Sequence, residues 1–90
     1  MKLPKFADEI LLALKLKSPP ALEEYEKLYI GAQIKKIRRK MGMKQLELAR
    51  KLKTSQSVIA RIENGRQNLT LKTLILIAHV LGKKLFVKFY

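Results

Sequence analysis

Residues 45–64, QLELARKLKTSQSVIARIEN, constrain this chain more than any other stretch. They read as two short helices joined by a tight turn. On a wheel of about 100° per residue, Gln56, Ser57, Ala60, Arg61 and Asn64 of the second helix fall on one side, and Val58, Ile59 and Ile62 on the other. A helix that buries an aliphatic stripe and turns Gln, Ser, Arg and Asn outward is built to touch something polar. In a strongly basic chain, the expected polar surface is DNA.

The charge supports this through its placement. The 90 residues carry a formal net charge of +13. Residues 1–30 hold five Lys and five acids (Asp8, Glu9, Glu23, Glu24, Glu26), and so sum to zero. Residues 31–90 hold fifteen Lys and Arg against two acids, Glu47 and Glu63. All of the excess therefore sits with the helix pair, as polyanion binding requires. Charge needed only for solubility need not segregate in this way. No membrane partner is expected, because no stretch pairs an aromatic-rich apolar face with a basic one.

Other chemistries are short of residues. The chain has no cysteine, which excludes disulfides and thiolate metal sites, and the single His79 cannot hold a metal by itself. No paired carboxylates or phosphate-cradling glycine loop stand out, so neither catalysis nor a cofactor is expected. The apolar run ILLALKL at 10–16 is interrupted by Lys15, follows Asp8 and Glu9, and lacks a small-residue cleavage site. It is also too short to span a bilayer, and a cytoplasmic location is expected. A chain of this length makes one small domain, or a domain plus an arm, with a core that dimerisation would help.

Taken in order, residues 1–17 suggest a short helix with Phe6, Ile10, Ala13 and Leu14 on one apolar stripe, ended by Ser18, Pro19 and Pro20. A second helix begins near Pro20, with Glu23 and Glu24 expected in its first turn. It carries Leu22, Tyr25, Leu28, Tyr29 and Ala32 at helical spacing, and Ile30, Ile34, Ile37 and Met41 form the next stripe. The sequence leaves open whether the helix runs through Gly31 or breaks there; Gly42 closes it. Leu46, Leu48 and Leu52 are expected to be buried on the third helix. Ser55 is expected to cap the fourth, which ends at Asn64 and Gly65. Thr70 caps a last helix expected to give Leu71, Leu74, Ile75, Ile77, Ala78 and Leu81 to the core, with His79 partly buried and Gly82 as the stop. In residues 84–90, KLFVKFY, the period changes to two: Leu85, Val87 and Phe89 alternate with Phe86, Lys88 and Tyr90. A lone strand needs a partner, and no second strand signal exists in the chain, so another chain must supply it.

The motifs QLELARKL, SQSVIARIENGR and LTLKTLILIAHVLGKKL, within residues 30–85, resemble the Cro/C1-type (XRE) helix-turn-helix family. The resemblance implies an all-α, five-helix, lambda-repressor-like domain over 31–90, with an N-terminal helical arm over 1–30 and a short C-terminal dimerising β-strand. The recognition helix would span 55–64. Gln45 would bind a phosphate oxygen and brace Gln56. Gln56, Ser57 and Arg61 would reach base edges; bidentate pairing suits Gln to adenine and Arg to guanine. Ser55 opens that helix, and Asn64 and Arg66 would hold the DNA backbone. Arg38 and Glu63 would form a structural ion pair. Double-stranded DNA with a palindromic operator is the implied partner, and a homodimer the implied form, with Leu85, Val87 and Phe89 at the dimer contact.

An arm ahead of such a domain, with a strand after it, resembles the HigA-type antitoxins more than phage repressors. That subgroup implies transcriptional repression of a toxin-antitoxin operon and a RelE-like ribonuclease toxin as second partner. Phe6, Ile10 and Leu14 would be the toxin-binding anchor. A plain phage- or plasmid-type repressor and a protein-protein interaction module are the alternatives. The chain departs from the family pattern at three places. Lys44 stands where a capping Thr or Ser is usual, Lys53 where the turn usually has glycine, and Leu69 where the loop usually has proline.

Overall fold

The computed structural model describes residues 19–89. The helix expected over 1–17 and the end of the terminal strand at Tyr90 lie outside them. Among the described residues there are four α-helices: α1 (Pro19–Lys40), α2 (Gln45–Lys51), α3 (Gln56–Glu63) and α4 (Leu71–Val80). α1 begins one residue earlier than expected, so Glu23 and Glu24 lie just beyond its first turn. Arg38, Arg39 and Lys40 occupy its last turn, where the helix dipole favours positive charge.

α1 runs unbroken through Gly31 and so crosses the position where an arm was expected to meet the domain. Gly31 is there because another backbone presses on it. A Cβ at this position would run into the carbonyl oxygen of Ile62 and stand 2.8 Å from that of Glu63. The next crossing contact is reciprocal: a Cβ on Gly65 would stand 2.8–2.9 Å from Leu28. Two glycines, one on α1 and one after α3, thus let the two helices approach backbone to backbone.

All four helices end the same way. After the C-cap, one residue takes a left-handed conformation, and the next two N–H groups fold back on the helix's last carbonyls. After α1, Gly42 donates to Arg39 and Met43 to Arg38; after α3, Gly65 donates to Ile62 and Arg66 to Arg61; after α4, Gly82 donates to His79 and Lys83 to Ala78. Each is a Schellman motif, for which glycine is the natural residue. After α2 the same bonds form, from Lys53 to Arg50 and Thr54 to Ala49, but the left-handed residue is Lys53 at φ 56°. The starts are capped by side chains where the sequence allows. Ser55 Oγ accepts from Val58 N–H, and Thr70 Oγ1 from Thr73 N–H. Lys44 has no acceptor to offer; instead its own N–H donates to Glu47 Oε1 at 3.4 Å.

The core is Ile34, Met43, Leu48, Ala49, Ile59, Ile62, Ile77 and Leu81, with Ile30, Ile37, Leu52, Val58, Leu69 and Val80 packed around it. Three expectations of burial fail for one reason. Leu46, Leu71 and Ile75 are exposed. On α2, Leu48, Ala49 and Leu52 define the inward direction, and Leu46 points about 100° away from it. On α4, Ile77 and Leu81 face the core, so Leu71, Ile75 and Leu76 turn outward. His79 shares that outward side and is exposed, not partly buried. The tail is left without a β-ladder in the single chain. Residues 83–89 form no strand within this chain, and Phe86 and Phe89 stand 83 % and 96 % exposed. A strand is defined by its ladder, and no described segment of the chain offers one.

Two substitutions test this packing by urea unfolding. Lys53→Gly should raise stability by about 1 kcal/mol by removing the left-handed penalty of a side chain. Gly31→Ala should lower it by about 1–3 kcal/mol, because a backbone obstructs the added methyl and cannot swing aside as a side chain can.

Candidate nucleic-acid interface

The site is built around one buried ion pair. Arg38, near the end of α1, and Glu63, the last residue of α3, are both buried; the Glu63 side chain is 1 % exposed. Arg38 Nε donates to Glu63 Oε2 at 2.6 Å and Nη2 to Oε1 at 2.9 Å, the bidentate geometry that suits a guanidinium to a carboxylate. The remaining terminal nitrogen, Nη1, donates to the Met43 carbonyl at 2.7 Å. The hydrogen bond to Glu63 raises the Arg38 pKa above its ordinary value; burial opposes this and the charge of Glu63 adds to it. One guanidinium therefore ties together the end of α1, the end of α3 and the loop that leads into α2. The ion pair implied by the family resemblance is present, and Met43 is a partner that side-chain patterning could not reveal, because it contributes only a carbonyl.

Gln45, the first residue of α2, joins this group. Its Nε2 donates to Glu63 Oε1 at 3.1 Å. Bracing of Gln56 was implied by resemblance; among the described residues, the hydrogen bond Gln45 makes is with Glu63. No buried side-chain nitrogen or oxygen among the described residues lacks a partner.

From this base α3 projects its polar side. Gln56, Ser57, Arg61 and Asn64 are all exposed, while Ile59 and Ile62 are buried and Val58 is half-buried, as the helical wheel predicts. Ser55 caps the helix, and its hydroxyl also meets that of Ser57 at 3.0 Å, an i, i+2 link that fixes the first turn's outer edge. Arg66 is exposed, and its backbone is held by the Schellman bond to Arg61, so the side chain leaves from a fixed point beside α3. Gln45, Ser55, Gln56, Ser57, Arg61, Asn64 and Arg66 thus all belong to α2, α3 and the turns that bound them. Lys44 and Lys53, both exposed, add cations to the same two-helix unit. Phe6, Ile10 and Leu14 lie outside the described residues. Leu85, Val87 and Phe89 are exposed on the tail.

An open groove of about 540 Å³ borders α1 and is lined by Tyr29, Lys36, Ile37, Lys40, Met41 and Lys83, among others. None of its lining residues is an acid or a histidine, and none is among the expected DNA contacts. No cluster of metal-binding side chains occurs among the described residues, and none of their helices is long and apolar enough to cross a membrane.

This is the architecture of a helix-turn-helix DNA-binding module. Residues 34–87, more than half of the chain, match the helix-turn-helix family model of the XRE/Cro-C1 type, and the chain belongs to that family of DNA-binding transcription regulators. A comparison with curated proteins found no match.

Removal of one partner from the buried pair should be severe. Arg38→Ala leaves the Glu63 carboxylate buried and unpaired, at a cost of about 3–5 kcal/mol, which is a large part of the ~5–15 kcal/mol that holds a domain folded. Replacing both partners, Arg38→Met with Glu63→Leu, should recover most of that loss in the same urea titration.

Proposed function

We propose that this protein is a sequence-specific transcriptional repressor that binds a palindromic operator as a homodimer, and that it is the antitoxin of a toxin-antitoxin pair. The observation that carries the DNA reading is the exposed row Gln56, Ser57 and Arg61 on a helix clamped from behind by Arg38 and Glu63. Gln and Arg in such a row can each make bidentate contacts to a base edge, while Gln45, Asn64 and Arg66 fix the register on the backbone. A single α3 covers only a few base pairs. A two-fold pair reads two half-sites about 34 Å apart, one turn of DNA.

Support for the dimer comes from apolar surface that the described residues leave uncovered: Leu85, Val87 and Phe89 on the tail, and Leu71, Ile75 and Leu76 on α4. Two tails pairing antiparallel would give each strand its missing ladder. Support for the antitoxin role is the division of charge, with residues 1–30 neutral and rich in apolar side chains and residues 31–90 strongly basic. A RelE-like ribonuclease is the proposed second partner, with Phe6, Ile10 and Leu14 as anchor and Glu9, Glu23, Glu24 and Glu26 as complementary charge.

Binding to duplex DNA selected from random sequence tests the first claim. Arg61→Ala should cost about 1–3 kcal/mol and relax preference at one base pair per half-site. If the dimer neutralises about eight phosphates, log K should fall against log[salt] with a slope of about −7. A slope near zero would point instead to a protein-interaction module.

Deleting residues 84–90 should give monomers in sedimentation. A truncated protein that stays dimeric would move the contact to α4 or to the N-terminal arm.

Co-expression with the neighbouring gene product tests the antitoxin role. Full-length protein should neutralise its toxicity and co-purify with it, whereas a protein starting at Pro19, which keeps α1 whole, should bind DNA without neutralising. With no toxic neighbour, the plain repressor is the reading that stands.

A further inference from the structure

We infer that Glu63 is a positioning residue for DNA binding, acting through the side-chain amide of Gln45; this rests on the DNA-binding reading above. Glu63 is buried and does not itself face the polar side of α3. Its Oε1 nevertheless accepts from two donors at once, Arg38 Nη2 at 2.9 Å and Gln45 Nε2 at 3.1 Å. Arg38 cannot turn away, because its other two nitrogens are engaged by Glu63 Oε2 and the Met43 carbonyl. The carboxylate is therefore a fixed acceptor, placed beneath the first residue of α2.

A fixed acceptor decides which way round an amide sits. A carboxylate paired with a guanidinium accepts hydrogen bonds and has none to give, so Gln45 must present its NH₂ end and not its carbonyl. One of the two N–H groups is then used. The second N–H and Oε1 have no hydrogen-bond partner among the described residues, and Gln45 is only half-buried. A DNA phosphate oxygen is likewise an acceptor only. The second N–H is the group that can meet it, and the buried pair has already selected the amide orientation that supplies it. Without Glu63 the amide would be free to turn, and part of the population would show its carbonyl to the phosphate. Glu63 thus contributes to affinity by removing that choice before DNA arrives. The Gln45 Oε1 is left free to accept a further hydrogen bond.

The test is a double-mutant cycle on the full chain, read by affinity for a duplex selected with the unaltered protein. Gln45→Ala should weaken binding about tenfold, or ~1.4 kcal/mol. Glu63→Gln, which can offer Gln45 either a carbonyl or an NH₂, should weaken it by a similar factor. The double variant should be no weaker than either single one. Losses that multiply to about a hundredfold would show that Glu63 acts independently of Gln45, and would overturn the proposal. The side-chain amide resonances of Gln45 in the DNA-free protein give the second readout. Two well-separated, slowly exchanging protons are expected in the unaltered chain, collapsing to ordinary values in Glu63→Gln.

If Glu63→Gln fails to fold, Gln45→Glu answers the same question from the other side. It sets a carboxylate against both Glu63 and the phosphate, and should lower stability as well as reduce DNA affinity by more than Gln45→Ala does. A Gln45→Glu protein as stable as the unaltered one would show that the contact does not form, and would also overturn the proposal. If the unaltered chain does not bind duplex DNA even at low salt, the underlying reading fails and the positioning role with it. Shifted Gln45 resonances would then mark the contact as purely structural.

Discussion

Everything in this domain hangs on how a carboxylate is kept buried at the wrong end of a helix. Glu63 closes α3, where the last carbonyls already concentrate negative charge, and a buried carboxylate there is unfavourable on both counts. Arg38 resolves both. It lies in the last turn of α1, where a cation is favoured, and it spends two of its donors on Glu63 and a third on the Met43 carbonyl. Such a pair contributes little net stability compared with apolar residues of the same size, but its three hydrogen bonds join three backbone segments at one point. The outward row of α3 inherits its orientation from that arrangement.

The apolar contacts are consistent with the same geometry. Ile59 and Ile62 on α3 meet Leu48 and Ala49 of α2 and Ile34 of α1 in a single core. Ala49 is fully buried between elements, and the glycine at 31 admits the carbonyls at the end of α3. Small residues at the crossing points bring the ends of α1 and α3 close enough for a bidentate contact.

Much of this was legible in the sequence. The α2–turn–α3 unit, the caps at Ser55 and Thr70, the stops at Gly42, Gly65 and Gly82, and the Arg38–Glu63 pair all follow from local chemistry or from motif. Lys53 was legible too, as a side chain in a place that wants none. Less legible were features that depend on where one surface lies against another. The need for glycine at 31 comes from a backbone more than thirty residues away in sequence, and nothing in the helical period announces it. The Gln45–Glu63 bond spans eighteen positions. Leu71, Ile75 and Leu46 read as core because hydropathy records a preference for burial without recording whether the domain has surface enough to satisfy it. The tail depends on a surface outside itself as well: its alternation marks a strand, and a strand is completed by a neighbour.

The unbroken course of α1 has a mechanical meaning. Its close backbone approaches to the end of α3 and the turn after it are made at Leu28 and Gly31, and the helix begins at Pro19. At about 1.5 Å per residue, the stretch ahead of Leu28 is a stiff spacer of roughly 14 Å. The first turns of α1 are held in phase with α2 and α3, as a blade is by its handle. Inserting one residue before Leu28 would turn the start of α1 by about 100° while lengthening the helix hardly at all, whereas inserting seven would nearly restore the original bearing. The bearing of the first turn of α1 relative to the α2–α3 unit is therefore written in the number of residues between Pro19 and Leu28.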